Sequence, residues 1–185
     1  MQKSPAKTVL PLQPPTSVLA TATAWLYFAL IVISIAVYYL QSGWTVISGT
    51  EMSWPKTVFT VINFATLTGF ATTSNYTTDL KIPGQSIALL LTIGGILYSL
   101  IVSGTAAVRI LRLPYSDRQV GYFSLIFTTI AVLGGSTLLM RSEQSYLAAV
   151  FQAASSFGNS GAWTVSYTHL RAHETKANLV CRLLL

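Results

Sequence analysis

The sequence predicts an all-α membrane protein: helix–pore-loop–helix repeats with re-entrant half-helices, truncated within the second repeat. Three observations carry that expectation. Of the 185 residues, 52% are hydrophobic and only 9% charged, where a water-soluble domain carries about 25% charged residues. Three uncharged runs are each long enough to cross a bilayer. Two shorter apolar runs are too short to cross, and each leads into a small, polar, glycine-bearing stretch.

The elements follow in chain order. Residues 1–17, MQKSPAKTVLPLQPPTS, hold four prolines and two lysines and are expected to form a flexible cytoplasmic arm. A signal peptide is the competing reading, but the apolar run that follows is long for an h-region and lacks a clear small-residue cleavage site. Residues 18–111 form the expected first repeat. Its first span, Val18 to Leu40, has no charge and reaches about 35 Å, enough for a hydrocarbon core of roughly 30 Å. Trp25, Tyr38, Tyr39 and Trp44 are candidate interfacial anchors. Next, Ser53 is a candidate N-cap, with Pro55 in the first turn where its missing N–H costs little. A helix over 54–65 is about 18 Å long, so it enters a bilayer without crossing it. The segment TLTGFATTSNYTTD then returns toward the second span, 85–108. On that span Gly95, Ser99, Ser103 and Ala107 recur every four residues, a stripe expected to pack a neighbouring helix.

Residues 112–119 are the expected cytoplasmic connector, and 120–164 the partial second repeat, with a span at 120–140. Ser145 is its candidate cap, 145–156 its short helix and SFGNSGAW its polar loop. Setting Gly161 against Gly69 aligns Ser160 with Thr68, Asn159 with Leu67 and Gly158 with Thr66. Lys3 and Lys7 precede the first span, while Arg109, Arg112 and Arg118 join the second to the third. The positive-inside rule puts both groups, and the N-terminus, on the cytoplasmic side.

Residues 165–185 break the pattern. VSYTHLRAHET and LVCRLLL read as translated sequencing-library adapter, so the tail is set aside as non-native. The alternative is a genuine amphipathic terminus in which His169 and His173 stand at helical spacing for a metal. Without Val165–Leu185 the chain has eight basic and four acidic residues and neither histidine nor cysteine. No disulfide, zinc site or cofactor is expected, and no enzyme, since no intramembrane carboxylate, histidine or thiol is available for chemistry. No nucleic-acid partner is expected either. Asn75-Tyr76-Thr77 fits a glycosylation acceptor, a pattern common by chance.

The two loops carry the functional expectation. Polar, irregular backbone at membrane depth is tolerated only where it is buried in protein or lines a wet cavity. Extended backbone offers carbonyl oxygens that replace the water shell of a cation. Glycine keeps a crowded axis free of side chains and permits unusual φ/ψ values. A half-helix entering from outside aims its partially negative C-terminus inward, which favours a cation. The candidate ion-binding backbone is Thr66, Leu67, Thr68, Gly69 and Phe70 in the first loop (filter 66–70). In the second loop (filter 157–161) it is Gly158, Asn159, Ser160 and Gly161.

FTVINFATLTGF, GQSIALLLTIGG (Gly84 to Gly95) and FQAASSFGNSG together resemble the Trk/Ktr/HKT superfamily of potassium transporters over about residues 18–164. The resemblance implies four helix–pore-loop–helix repeats in one chain and potassium (in some members sodium) uptake across the cell inner membrane. Its filter of backbone carbonyls has one marker glycine per loop, which falls here on Gly69 and Gly161. In the plant branch a serine at the first such position goes with sodium, so Gly69 leans toward potassium. The resemblance further implies a homodimer in membrane lipid and a cytoplasmic nucleotide-binding regulatory subunit. The connector 109–119 is shorter than the family usually has, and Ala162-Trp163 departs after the second glycine. With the third and fourth repeats absent, the fragment alone is expected not to conduct. The rival readings are a tetrameric potassium channel, a sodium-permeable member of the same superfamily, and a polytopic permease or structural membrane protein with ordinary outer loops.

Overall fold

A computed structural model describes residues 17–41, 45–46, 53–70, 76–141 and 145–160. Within them the order is α1 (Val18–Leu40), α2 (Trp54–Thr66), α3 (Tyr76–Asp79), α4 (Ile82–Ile110), α5 (Asp117–Leu139) and α6 (Tyr146–Gly158). The described residues are otherwise irregular apart from an isolated antiparallel bridge between Val46 and Leu80. Helices α1, α4 and α5 are long and apolar enough to cross a membrane. The arm before Ser17, Trp44, Gly161 and the tail from 165 lie outside the described residues.

Two of the three long helices begin at a capping serine, while α4 starts after Lys81 with a proline in its first turn. Ser17 accepts from the Ala20 N–H through its hydroxyl, and Ser116 forms a full capping box with Gln119 before α5. That box starts α5 at Asp117, so the connector is shorter than the expected 112–119. It turns at Arg112, whose φ is 52°. The same end of the bundle is tied together by Asp117. Its Oδ2 accepts from the Ser17 hydroxyl and lies 3.3 Å from the Arg109 guanidinium. The start of α1, the end of α4 and the start of α5 therefore meet. At the opposite end the buried Tyr38 hydroxyl donates to the Gly84 carbonyl. The Lys81 N–H donates to the Thr45 carbonyl at 2.9 Å.

A hydrophobic core that includes Val61, Phe64, Leu91 and Phe151 is buried, but the outer surface is also apolar, unlike that of a water-soluble bundle. Helix α1 buries only Ser34 and Tyr38. Helix α5 buries Ser124, Thr128, Val132 and Ser136, one residue per turn. Trp25, Leu26, Phe123, Ile126 and Ile130 point outward. Small, hydroxyl-bearing residues let helices approach closely where lipid removes any hydrophobic drive between them. Their hydroxyls donate to their own helix: Ser34 to Leu30, Ser124 to Val120 and Ser136 to Leu133, each at 2.7–2.8 Å. In water such an outer surface would aggregate; in lipid it is the solvated face.

Two sequence expectations are corrected here. Tyr38 is 0% exposed and anchors α4, whereas Trp25 and Tyr39 do lie on the outside. On α4 only Gly95 of the four-residue stripe is buried, while Ser99, Ser103 and Ala107 are exposed. Beyond Gly95 the buried residues of α4 include Thr105 and Val108 instead. Small residues at four-residue spacing permit close approach, but the spacing does not determine which face a neighbouring helix takes, and here the neighbours pack on the face of Gly95, Thr105 and Val108.

Candidate functional site

Helices α2 and α6 have 13 residues each, about 20 Å. Both run antiparallel to the long helix that precedes them and stop part-way along it. For α2, Trp54 packs edge-on against Tyr39 near the end of α1, with ring centroids 5.1 Å apart. Its far end meets the interior of α1 and α4. The Tyr27 hydroxyl lies 2.9 Å from the Ala65 carbonyl and 2.7 Å from the Leu91 carbonyl. A Cβ on Gly95 would stand 2.7 Å from the Ala65 oxygen. For α6, a Cβ on Gly135 would touch the Ala153 side chain at 3.2 Å, and Phe157 meets Phe127 in the interior of α5 at 5.7 Å.

The two short helices also meet each other. Phe64 and Phe151 pack edge-on at 6.2 Å. A Cβ on Gly158 would lie 3.2 Å from Leu67 Cδ2 and 3.0 Å from Ile96. The structure therefore brings Leu67 and Gly158, predicted from sequence to belong to two separate loops, into contact at mid-height of the bundle. A side chain at Gly158 would press on Ile96 and Leu67, which would have to give by a few tenths of an ångström.

Their C-termini close in the same way. Leu67 (φ 56°, ψ 37°) and Asn159 (φ 55°, ψ 32°) are both left-handed caps. The cap N–H bonds back to Asn63 in one and Ser155 in the other. The next N–H closes a longer bond to the same carbonyl: Thr68 to Asn63 at 3.4 Å, Ser160 to Ser155 at 3.0 Å. This satisfies a helix-end carbonyl internally. Side chains repeat the link, with the Thr68 hydroxyl donating to Asn63 Oδ1 at 2.7 Å and the Ser160 hydroxyl to Ser155 Oγ at 3.1 Å. Asparagine tolerates the left-handed region; leucine does so at a cost of about 1–2 kcal/mol.

The backbone of the first loop is thus not the extended ribbon expected from sequence. Leu67 is left-handed, and Gly69 follows with φ 79°, a conformation that suits glycine. Thr66 ends α2, and Gly158 (with Phe157) completes the last turn of α6 rather than standing in the loop. Thr66, Thr68, Phe70 and Asn159 are exposed, Leu67 and Gly69 partly so, and Ser160 is buried.

Carbonyl directions follow from peptide geometry. A trans peptide sets its C=O opposite its N–H, and there is no cis bond. The N–H groups of Leu67, Thr68 and Phe70 all donate to Asn63, to its carbonyl or its side chain. The carbonyls of Thr66, Leu67 and Gly69 therefore point away from Asn63. In the second loop the same reasoning turns the Gly158 and Asn159 carbonyls away from Ser155. Among the described residues no hydrogen bond reaches the carbonyls of Leu67, Thr68 or Gly69. No group of three or more metal-ligating side chains occurs among them either.

Two residues central to this arrangement escaped the sequence reading: Tyr27, hidden in an apolar run, and Asn63, hidden in a short helix. The signal available was polarity. Asn63 is an amide in an otherwise apolar or β-branched segment, TVFTVINFA. Comparisons with protein-family models, with curated proteins and with solved structures find no match for this chain.

Proposed function

We propose that this chain contributes two carbonyl-bearing hairpins to a path along which a partly dehydrated monovalent cation, potassium, crosses a membrane. The matched ends of α2 and α6 carry the reading. Two helices of different sequence stop at mid-height, close with the same left-handed cap and turn carbonyls outward from it. Such oxygens can replace an ion's hydration shell, and the C-terminal dipole ends favour a cation. In this reading α2 and α6 are re-entrant half-helices, and the filter backbone is Thr66 to Phe70 and Gly158 to Gly161. The N-terminus faces the cytoplasm of a cell whose inner membrane holds the protein, in agreement with the resemblance to Trk-type transporters. Glycine rather than serine at position 69 favours potassium over sodium. A homodimer and a cytoplasmic nucleotide-binding partner remain part of the same proposal.

Cysteine labelling tests it. In a Cys181→Ser background, Thr68→Cys is treated with a membrane-impermeant thiol reagent in vesicles, in potassium chloride or choline chloride. Potassium is expected to slow labelling at least several-fold. Fast labelling with no ion effect would instead make 66–70 an ordinary outer loop.

A further inference from the structure

Asn63 sits one turn before the end of α2, 2% exposed. Its backbone carbonyl accepts from the Leu67 and Thr68 N–H groups. Its side-chain Oδ1 accepts from the Thr68 hydroxyl at 2.7 Å and from the Phe70 N–H at 2.8 Å. The Phe70 N–H can only donate, so the atom facing it must be the amide oxygen. The orientation of the amide group is thereby fixed by chemistry. One residue thus holds every N–H of the loop from 67 to 70 except that of Gly69. The Asn63 Nδ2 group, turned the other way, is buried without a partner among the described residues. A buried amide that leaves a donor unsatisfied costs stability, so helix packing alone gives no reason for an amide at this position.

We infer that Asn63 is the positioning residue of the first loop: its Oδ1 locks the Thr68 hydroxyl and the Phe70 N–H inward, which forces the Gly69 carbonyl outward. This rests on the proposed cation path and says how that path is shaped. Without the Oδ1 acceptor, the 69–70 peptide is free to rotate. The Gly69 oxygen then no longer has a fixed direction, and glycine's wide φ range adds nothing to hold it. The second hairpin is built differently. There a serine, Ser155, stands at the matching position, and its hydroxyl oxygen accepts from the Ser160 hydroxyl at 3.1 Å.

The test is backbone hydrogen exchange, read residue by residue, on the whole chain in detergent, in potassium chloride and in choline chloride. In the parent, the Phe70 amide exchanges slowly. Asn63→Leu is expected to speed it about tenfold, the loss of one well-formed hydrogen bond, and to abolish any slowing of the loop by potassium. Asn63→Asp, which keeps an oxygen facing Phe70, retains most of the protection. Unchanged exchange in α1 and α4 guards against a folding defect in Asn63→Leu. Unaltered Phe70 exchange in Asn63→Leu overturns the inference. If the parent shows no potassium effect but Phe70 responds as stated, the cation path fails while the brace stands. If potassium slows the loop equally in parent and Asn63→Leu, the path stands and the brace fails.

Discussion

Gly95 and Gly134 are both mid-helix glycines in membrane-length helices, and the structure assigns them opposite responses to the same substitution. Alanine in place of a helix-interior glycine gains about 1 kcal/mol from backbone entropy. At Gly134 nothing lies within 4 Å of the new methyl group, so that gain stands alone. At Gly95 the methyl carbon would lie 2.7 Å from the Ala65 carbonyl oxygen, 2.8 Å from the Tyr27 hydroxyl and 3.3 Å from Leu67 Cδ2. The first neighbour is backbone and cannot rotate away, so α2 or α4 must shift. Overpacking costs about 1–3 kcal/mol, and displacement of Tyr27 from Ala65 adds about 1 kcal/mol for the lost hydrogen bond. Set against the entropic gain, Gly95→Ala should destabilise by about 1–3 kcal/mol. For a chain of this size that lowers the unfolding midpoint by roughly 3–10 °C, while Gly134→Ala raises it by about 2–4 °C. The measurement is thermal unfolding in one detergent, followed by circular dichroism. A rise for both variants would refute the reasoning, because it would mean α2 does not end against α4 at Gly95.

Two further outcomes are expected. Tyr27→Phe keeps the ring stacked on Tyr98 (5.5 Å between centroids) but strips the donor from the Ala65 and Leu91 carbonyls. It should cost about 1–2 kcal/mol in the same unfolding assay, and an unchanged midpoint would remove Tyr27 as the tie for α2. Gly69→Ser should bring the ratio of potassium to sodium protection in the Thr68→Cys labelling assay down toward one. Gly69→Ala, which shares the strain of a side chain at φ 79° but has no hydroxyl, separates strain from chemistry. A ratio that is the same in all three places Gly69 outside any ion path.

The helices were legible because their signals are local. Uncharged runs bounded by Ser, Lys and Arg became α1, α4 and α5, and the Ser-x-Pro and Ser-Tyr starts placed α2 and α6. What escaped depends on contacts distant in sequence. Nothing in VLATATAWLYFALIVISIAVYYL distinguishes Tyr27 and Tyr38, which bond carbonyls of α2 and α4, from Tyr39, which faces outward. The stripe on α4 misled because spacing alone does not say which helix approaches. The stripe that α5 does bury, Ser124 to Ser136, has equal spacing and was passed over. The loop conformation was missed for another reason. Glycine at 69 announces an unusual φ, but Leu67 at φ 56° breaks the ordinary preference of leucine, and only the surrounding bonds reveal why it is held there.

The agreement between the two short helices bears on why they stop where they do. Asn63, Leu67 and Thr68 differ position by position from Ser155, Asn159 and Ser160, yet the backbone angles at the caps agree within 5°. The left-handed cap is a common helix ending, and both of these lie against the same stretch of α4, at Gly95 and Ile96. A helix that ends in water leaves its last carbonyls to the solvent, and many endings serve equally well. A helix that ends between spanning helices must satisfy carbonyls on one side while another element, here α4, passes close by. The left-handed cap does both, because it folds two N–H groups back onto one carbonyl and reverses the chain within a single residue. The carbonyls it leaves over point away from the helix by stereochemical necessity. A pair of helix ends closed in this way turns carbonyls away from the helix as a consequence of its own hydrogen bonding, and under the proposed function those are the oxygens that a cation would meet.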